Sequence, residues 1–209
     1  MVTAGNPRPK VAGSDRRLQL AEVATELFAR QGYDGTTMDD VANAAGVTKP
    51  IVYQHFTSKR ALYDELIADT TAELVAAIAQ ATSNASGPRA QVLDGFTAVF
   101  SFVAYRRESF LFLYRHDARS TDATPDPLTK VEDILIEVID PLIAAGLEPG
   151  HRRVLAAAVV SMAEGVARRW LIARDGVDAQ LLAAEGTALA RQVADLAWGG
   201  LRSVEPGEG

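Results

Sequence analysis

A chain of 209 residues, 48% hydrophobic and 23% charged, has the balance of a soluble globular protein and the length to bury a substantial core. It has no cysteine, which excludes a disulfide framework, a thiolate metal site or a cysteine nucleophile, and none of its three histidines, His55, His116 and His151, stands at the helical i, i+4 spacing of a metal pair. The formal charge of −6 is unevenly spread: residues 1–60 carry eight Lys and Arg against six Asp and Glu, so the acidic excess lies wholly in the remainder.

Residues 1–13 are rich in Gly, Pro and small polar types and are expected to form a disordered tail. Arg8 and Lys10 fit a solvated tail first and a basic arm for a DNA groove second. A first helix is predicted from Ser14, its cap, to about Gln31, with Leu20, Ala24, Leu27 and Phe28 as its buried stripe and Gly32 as its stop.

Residues 36–59, TTMDDVANAAGVTKPIVYQHFTSK, then encode two short helices and a tight turn. Thr37 caps the first helix, with Asp40 as the return partner of a capping box. Val41, Ala42 and Ala45 form a short apolar face, and Gly46 supplies the permissive backbone of the turn. Thr48 caps the second helix, where Pro50 falls in the first turn and its missing N–H costs little. Val47, Val52 and Phe56 point inward, which leaves Thr48, Lys49, Pro50, Ile51, Tyr53, Gln54 and His55 as the exposed face. The pattern is a helix-turn-helix whose second helix is the candidate reader.

Ser58 caps a long fourth helix ending near Thr82, with Lys59 and Arg60 in its first turn. Cations there oppose the helix dipole, a conflict that a phosphate opposite the helix start would resolve. After a break at 83–89, helices five (90–107) and six (108–119) carry Phe96, Phe100, Phe102, Tyr105, Phe110, Phe112 and Tyr114. A second break at 120–127 precedes a seventh helix (128–145) that Pro141 should kink or split. Following 146–150, two Ala-rich helices (151–174 and 178–201) complete the chain, with a loose tail at 204–209. Their small residues permit close approach, so the last two helices are expected to form a four-helix bundle with a second copy; the alternative is packing inside one chain. Glu164 is the one acid on an otherwise apolar face and is expected to pair with Arg168.

No alternating strand pattern is sustained, so the expected fold is all-α, with about nine helices. A helix-turn-helix head (14–60) precedes a larger body (61–203). The longest apolar stretch, residues 154–163, is about half of a bilayer span, and the N-terminus lacks a signal-peptide core. A cytoplasmic protein without membrane association is expected.

Residues 20–62 resemble the N-terminal domain of TetR-family transcriptional regulators. The resemblance rests on the Leu-Phe pair before Gly-Tyr, the Thr-Thr cap, Ala-Gly-Val at the turn, Tyr-x-His-Phe closing the reader, and Ser-Lys opening helix four. It implies a homodimer on a palindromic double-stranded DNA operator. By position, Thr37, Tyr53, His55 and Lys59 would contact phosphates, while Lys49, Pro50, Ile51 and Gln54, beside Thr48, would lie nearest the base edges. Many relatives have Gly or a small polar residue where this chain has Pro50 and Ile51, so its reader is the more apolar.

The resemblance also gives the body two tasks, dimerisation and binding of a small apolar or amphipathic effector. Phe96, Phe100, Tyr105, Phe112 and Trp170 suit a pocket lining, with Arg115, His116 and Arg119 at its edge for a polar or acidic group; ordinary core is the alternative. Without GxSxG, HExxH, P-loop or a dinucleotide fingerprint in context, no enzyme, metal or cofactor is expected. The expected function is a repressor released by its ligand. Control by a protein partner, or an all-α carrier or enzyme that retains the head, are the competing readings.

Overall fold

The computed structural model describes residues 13–114, 127–143 and 146–204; the N-terminal arm, Arg115, His116, Arg119 and the last five residues lie outside them. Among the described residues there are nine α-helices and no strand: α1 (Gly13–Gly35), α2 (Met38–Ala44), α3 (Lys49–His55), α4 (Lys59–Ser83), α5 (Pro88–Tyr105), α6 (Arg107–Tyr114), α7 (Pro127–Ile139), α8 (Pro149–Ala173) and α9 (Ala179–Leu201). A 3₁₀ turn, Asp140–Leu142, follows α7, because Pro141 cannot continue the helical hydrogen bonding. The seventh helix therefore ends well before residue 145.

Capping chemistry sets several boundaries. Asp40 N–H donates to Thr37 Oγ1 at 3.1 Å while Thr37 N–H donates to Asp40 Oδ2 at 2.8 Å, a complete capping box on α2. Ser58 Oγ accepts from Ala61 N–H at 3.0 Å to open α4. Thr48 stands at the N-cap of α3, yet its side chain makes no capping bond. Gly32 has φ 76°, a left-handed conformation that interrupts α1 where the sequence places its stop.

Two core clusters organise the packing. The first joins Leu20, Ala24 and Phe28 of α1 to Val41, Val52, Phe56, Leu62 and Leu66, and takes in Phe112 and Leu113 of α6 and Val131 of α7. The early part of α4 thus belongs to the same core as α1–α3. The second cluster lies among α5, α8 and α9, with Phe96, Phe100, Trp170, Leu171, Leu182 and Val193 as its bulk. The inner faces of the Ala-rich helices are spent here: Ala163 and Ala167 of α8 and Ala190, Ala194 and Ala197 of α9 are buried within the chain. At Gly186 a Cβ would stand 3.0 Å from the Trp170 ring, so the missing side chain permits the close approach of α9 to α5 and α8.

Candidate DNA-reading face and effector cavity

The turn between α2 and α3 is made by Gly46, whose φ of 66° is left-handed and open to glycine without strain. From it α3 enters with Val52 fully buried and Thr48, Lys49, Pro50, Tyr53 and Gln54 exposed; Ile51 and His55 are half-buried. Nothing in the core constrains the identity of the exposed five. Of the seven residues the sequence assigns to the exposed surface of this segment, five are exposed and two half-buried.

That face is held from behind by Arg17. Its guanidinium donates to the main-chain oxygen of His55 and to both carboxylate oxygens of Glu65, with Nε–Oε1 at 3.1 Å, and lies over the Phe56 ring at 4.4 Å. One side chain of α1 thus ties the end of α3 to α4. The charged fork matters more for geometry than for energy, since both partners are partly exposed.

Two candidate contacts have partners of their own. Lys49 Nζ donates to Asp39 Oδ2 at 2.8 Å, and that bond, with the charge of Asp39, raises the ammonium's pKa. Lys59 Nζ donates to the main-chain oxygens of Tyr33 (2.8 Å) and Thr36 (3.1 Å) and sits 4.1 Å from the Tyr33 ring centroid. The cation that opposes the dipole of α4 is thereby compensated by carbonyls at the end of α1 and just after it. Two of the three donors of the ammonium are thus taken by carbonyls, with the Tyr33 ring also within cation–π range. Arg60 turns along its own helix to Asp64, at 2.8 Å.

The body holds a partly open cavity of about 400 Å³ between α4, α5, α7, α8 and the end of α9. Its wall is aliphatic and aromatic for the most part, with Leu74, Ile78, Phe96, Phe110, Leu135 and Val160 prominent. Of the aromatic residues the sequence singles out, Phe96 lines it. Phe100 and Trp170 pack on each other with centroids 5.9 Å apart, and Trp170 donates to Glu185 at 3.1 Å. Tyr105 is 66% exposed. Phe112 reaches away, into the core beneath α1, beside Phe28 and Tyr63.

Sequence reasoning missed Phe110 as a wall residue, along with the aliphatic residues of α4, α7 and α8. It also missed Glu132, which stands in the wall with Glu164. Glu164 does not form the expected ion pair with Arg168; its carboxyl hydrogen-bonds to that of Glu132 across the gap between α8 and α7. Burial first, then that bond and the charge of Glu132, hold the Glu164 carboxyl up at about 7, against a smaller pull from Arg168.

An exposed second helix in a capped helix-turn-helix, carried by a helical body with an apolar cavity, has the form of a DNA-binding protein. Residues 20–66 match the family model of "Bacterial regulatory proteins, tetR family", and residues 88–200 match "Tetracyclin repressor-like, C-terminal domain". The chain belongs to the TetR family and is a DNA-binding transcriptional regulator. It is 30% identical over 202 residues to the HTH-type transcriptional activator FasR of Mycolicibacterium smegmatis, covering 96% of this chain and 88% of that one. It is also 28% identical to the repressor KstR2 of the same organism, over 54% of each chain. A TetR-like regulator from Rhodococcus sp. RHA1 superposes with a TM-score of 0.69 at 26% identity over 96% of this chain and 100% of that one. FadR of Bacillus subtilis, solved in complex with stearoyl-CoA, shares the fold at a TM-score of 0.71 and 14% identity, over 90% and 99% of the two chains. Among the described residues no helix is long and apolar enough to cross a membrane.

Proposed function

We propose that the chain is a repressor that occupies a palindromic operator as a homodimer and is released when an apolar or amphipathic small molecule fills the body cavity. Residues 14–60 then read DNA, and residues 61–203 bind the effector and the second copy, in the cytoplasm and without turnover. Release as against activation rests on the expectation for the family, whose relatives here include an activator and a repressor.

The observation that carries the ligand-response reading is the placement of α6. Phe110 lines the cavity, while two residues on Phe112 is packed into the head-side core, 5.8 Å from Phe28 and 4.9 Å from Tyr63. A ligand that displaces Phe110 acts on an eight-residue helix wedged against α1. Two readers must meet major-groove faces about 34–36 Å apart, so a small rotation of each head weakens binding to the operator. The apolar cavity favours a small molecule over a protein partner, whose docking would not need an interior space.

Phosphate contacts are assigned to Thr37, Tyr53, His55 and Lys59, and base-edge contacts to Lys49, Pro50, Ile51 and Gln54, with Thr48 beside them. The homodimer is assigned to the outer faces of α8 and α9. There Val154, Ile172, Leu181 and Leu196 are each more than 60% exposed, interleaved with exposed Ala158, Ser161, Ala184 and Ala188. A self-complementary pair of such faces suits a two-fold interface.

The test is fluorescence anisotropy on a labelled palindrome from the promoter beside the gene, with Val160→Phe to fill the cavity from a wall position of α8 outside the α5–α8–α9 core. The variant is expected to keep its fold and lose its response to added ligand. A response equal to wild type would remove the cavity from the mechanism.

A further inference from the structure

The cavity wall holds a mismatch that the packing of the chain does not explain. Among its lining residues the charged ones are Glu132 on α7, Glu164 on α8 and Arg202 after α9, and the two carboxyls are hydrogen-bonded neighbours in a mainly apolar wall. Among the described residues no Lys, Arg or His stands within ion-pair distance of either; Arg168, one turn along α8, acts on Glu164 from farther away. The lining residues from α4 (Leu74, Ile78, Thr82), α5 (such as Gln91 and Phe96) and α6 (Phe110) bring no charge. Thr82 already donates its hydroxyl to Ile78 O at 2.9 Å. Two neighbouring carboxyls in such a place share a proton or, once both ionise, repel, and the ionised pair costs the apo protein stability.

The pair also has a position. Val131, next to Glu132, belongs to the core beneath the head, whereas Leu201 and Val204, which flank Arg202, pack with Ile143 and Ala156 in a separate cluster. The arginine thus stands on a different element of the wall from the carboxyls, and of the three only Arg202 is exposed.

Resting on the effector reading above, we propose that the Glu132–Glu164 pair is the polar anchor of the cavity and receives the protonated amine of a ligand whose apolar body fills the remaining space. An ammonium donates three N–H groups and replaces the shared proton with a fixed positive charge, which satisfies both carboxylates. A carboxylate at the same place would meet like charge, and an alcohol would satisfy a single acceptor. Ammonium binding discharges the proton of the pair, so it strengthens as pH rises through the range where Glu164 titrates; Glu132, Arg168 and Arg202 are the charged groups around it.

Isothermal titration of the full chain with decylamine, decanol and decanoate, each below its micellar range and at about pH 8, tests this. Decylamine is expected to bind roughly tenfold more tightly than the other two, and Glu164→Gln or Glu132→Gln to remove that preference while leaving decanol within about twofold. The amine's advantage should shrink on moving to about pH 6, with decanol unchanged. Melting curves of both Gln variants establish that they fold, and either variant alone suffices if the other does not. Equal affinity for amine and alcohol, preference for decanoate, or an amine affinity untouched by both substitutions overturns the anchor. Should decanol or decanoate then bind and still shift operator affinity, the cavity remains the effector site and the anchor alone falls. If none of the three binds, both readings fall together.

Discussion

Phe112 is the residue whose removal speaks most directly to how the body holds the head. It is 1% exposed, and its ring lies 4.9 Å from Tyr63 and 5.8 Å from Phe28, within an aromatic group where Tyr63 also meets Phe28 at 5.2 Å and Tyr33 at 4.7 Å. Phe112→Ala loses a buried ring and leaves a hole between α1, α4 and α6, a change that costs about 3–5 kcal/mol where surrounding side chains cannot close in. With a urea slope of about 2–3 kcal/mol per molar, the midpoint should fall by about 1–2.5 M. The two tryptophans, Trp170 and Trp198, are both in the body, so their fluorescence reports on α8 and α9 while far-ultraviolet circular dichroism reports on every helix. In the wild type the two transitions should coincide. In the variant the dichroism should begin to fall first, as α1–α3 come loose from a body that still protects its tryptophans. Coincident transitions with a loss under about 1 kcal/mol would refute α6 as the clamp, because a buried aromatic at a structural joint cannot be that cheap to delete.

Lys49→Ala should weaken operator binding by about 1–3 kcal/mol and relax preference at one base pair, measured by anisotropy across single-base operator variants; uniform weakening would make Lys49 a phosphate contact instead. Ile172→Glu, on the outer face of α8, should give a monomer by sedimentation and abolish tight operator binding while the melting temperature changes little. The raised carboxyl of Glu164 has a sign that can be checked. Because the folded protein holds this proton more tightly than the unfolded chain, the contribution to stability falls as pH rises from about 4.5 through about 7. Thermal melts of Glu164→Gln should therefore lose stability less steeply over that range than wild type, and an unchanged slope would count against the pairing.

The head was legible in the sequence because its constraints are local. A capping box needs Thr37 and Asp40 three residues apart, and a left-handed turn needs Gly46; both requirements are visible within a few positions and both are met in the structure. The body yields less. Helical periodicity separates inside from outside but does not say which interior a side chain enters. Phe96, Phe100 and Phe112 all look buried, and they enter a cavity wall, a helix interface and the head-side core respectively. Pro141 was a visible break, yet whether it would bend or end α7 depended on the turn beyond it, where Arg152 of α8 meets Asp140 at 2.9 Å. Glu164 did announce itself as an acid among apolar neighbours. Its partner stands 32 positions earlier, on a helix whose placement no local pattern reveals.

The tie made by Arg17 has a consequence for how such a protein changes its address. The guanidinium grips the main-chain oxygen at position 55, a group that every amino acid supplies, and the buried anchors of α3 are Val52 and the flanking Phe56. Lys49, Pro50, Tyr53 and Gln54 take no part in that frame beyond the surface bond from Lys49 to Asp39. New side chains at these positions can therefore be tried without refolding the head, while the frame keeps the angle at which they are presented. With the reader assigned as proposed above, target choice and structural integrity fall on separate residues of a helix only seven long. A lineage can thus move to another operator one exposed residue at a time and remain folded at every step.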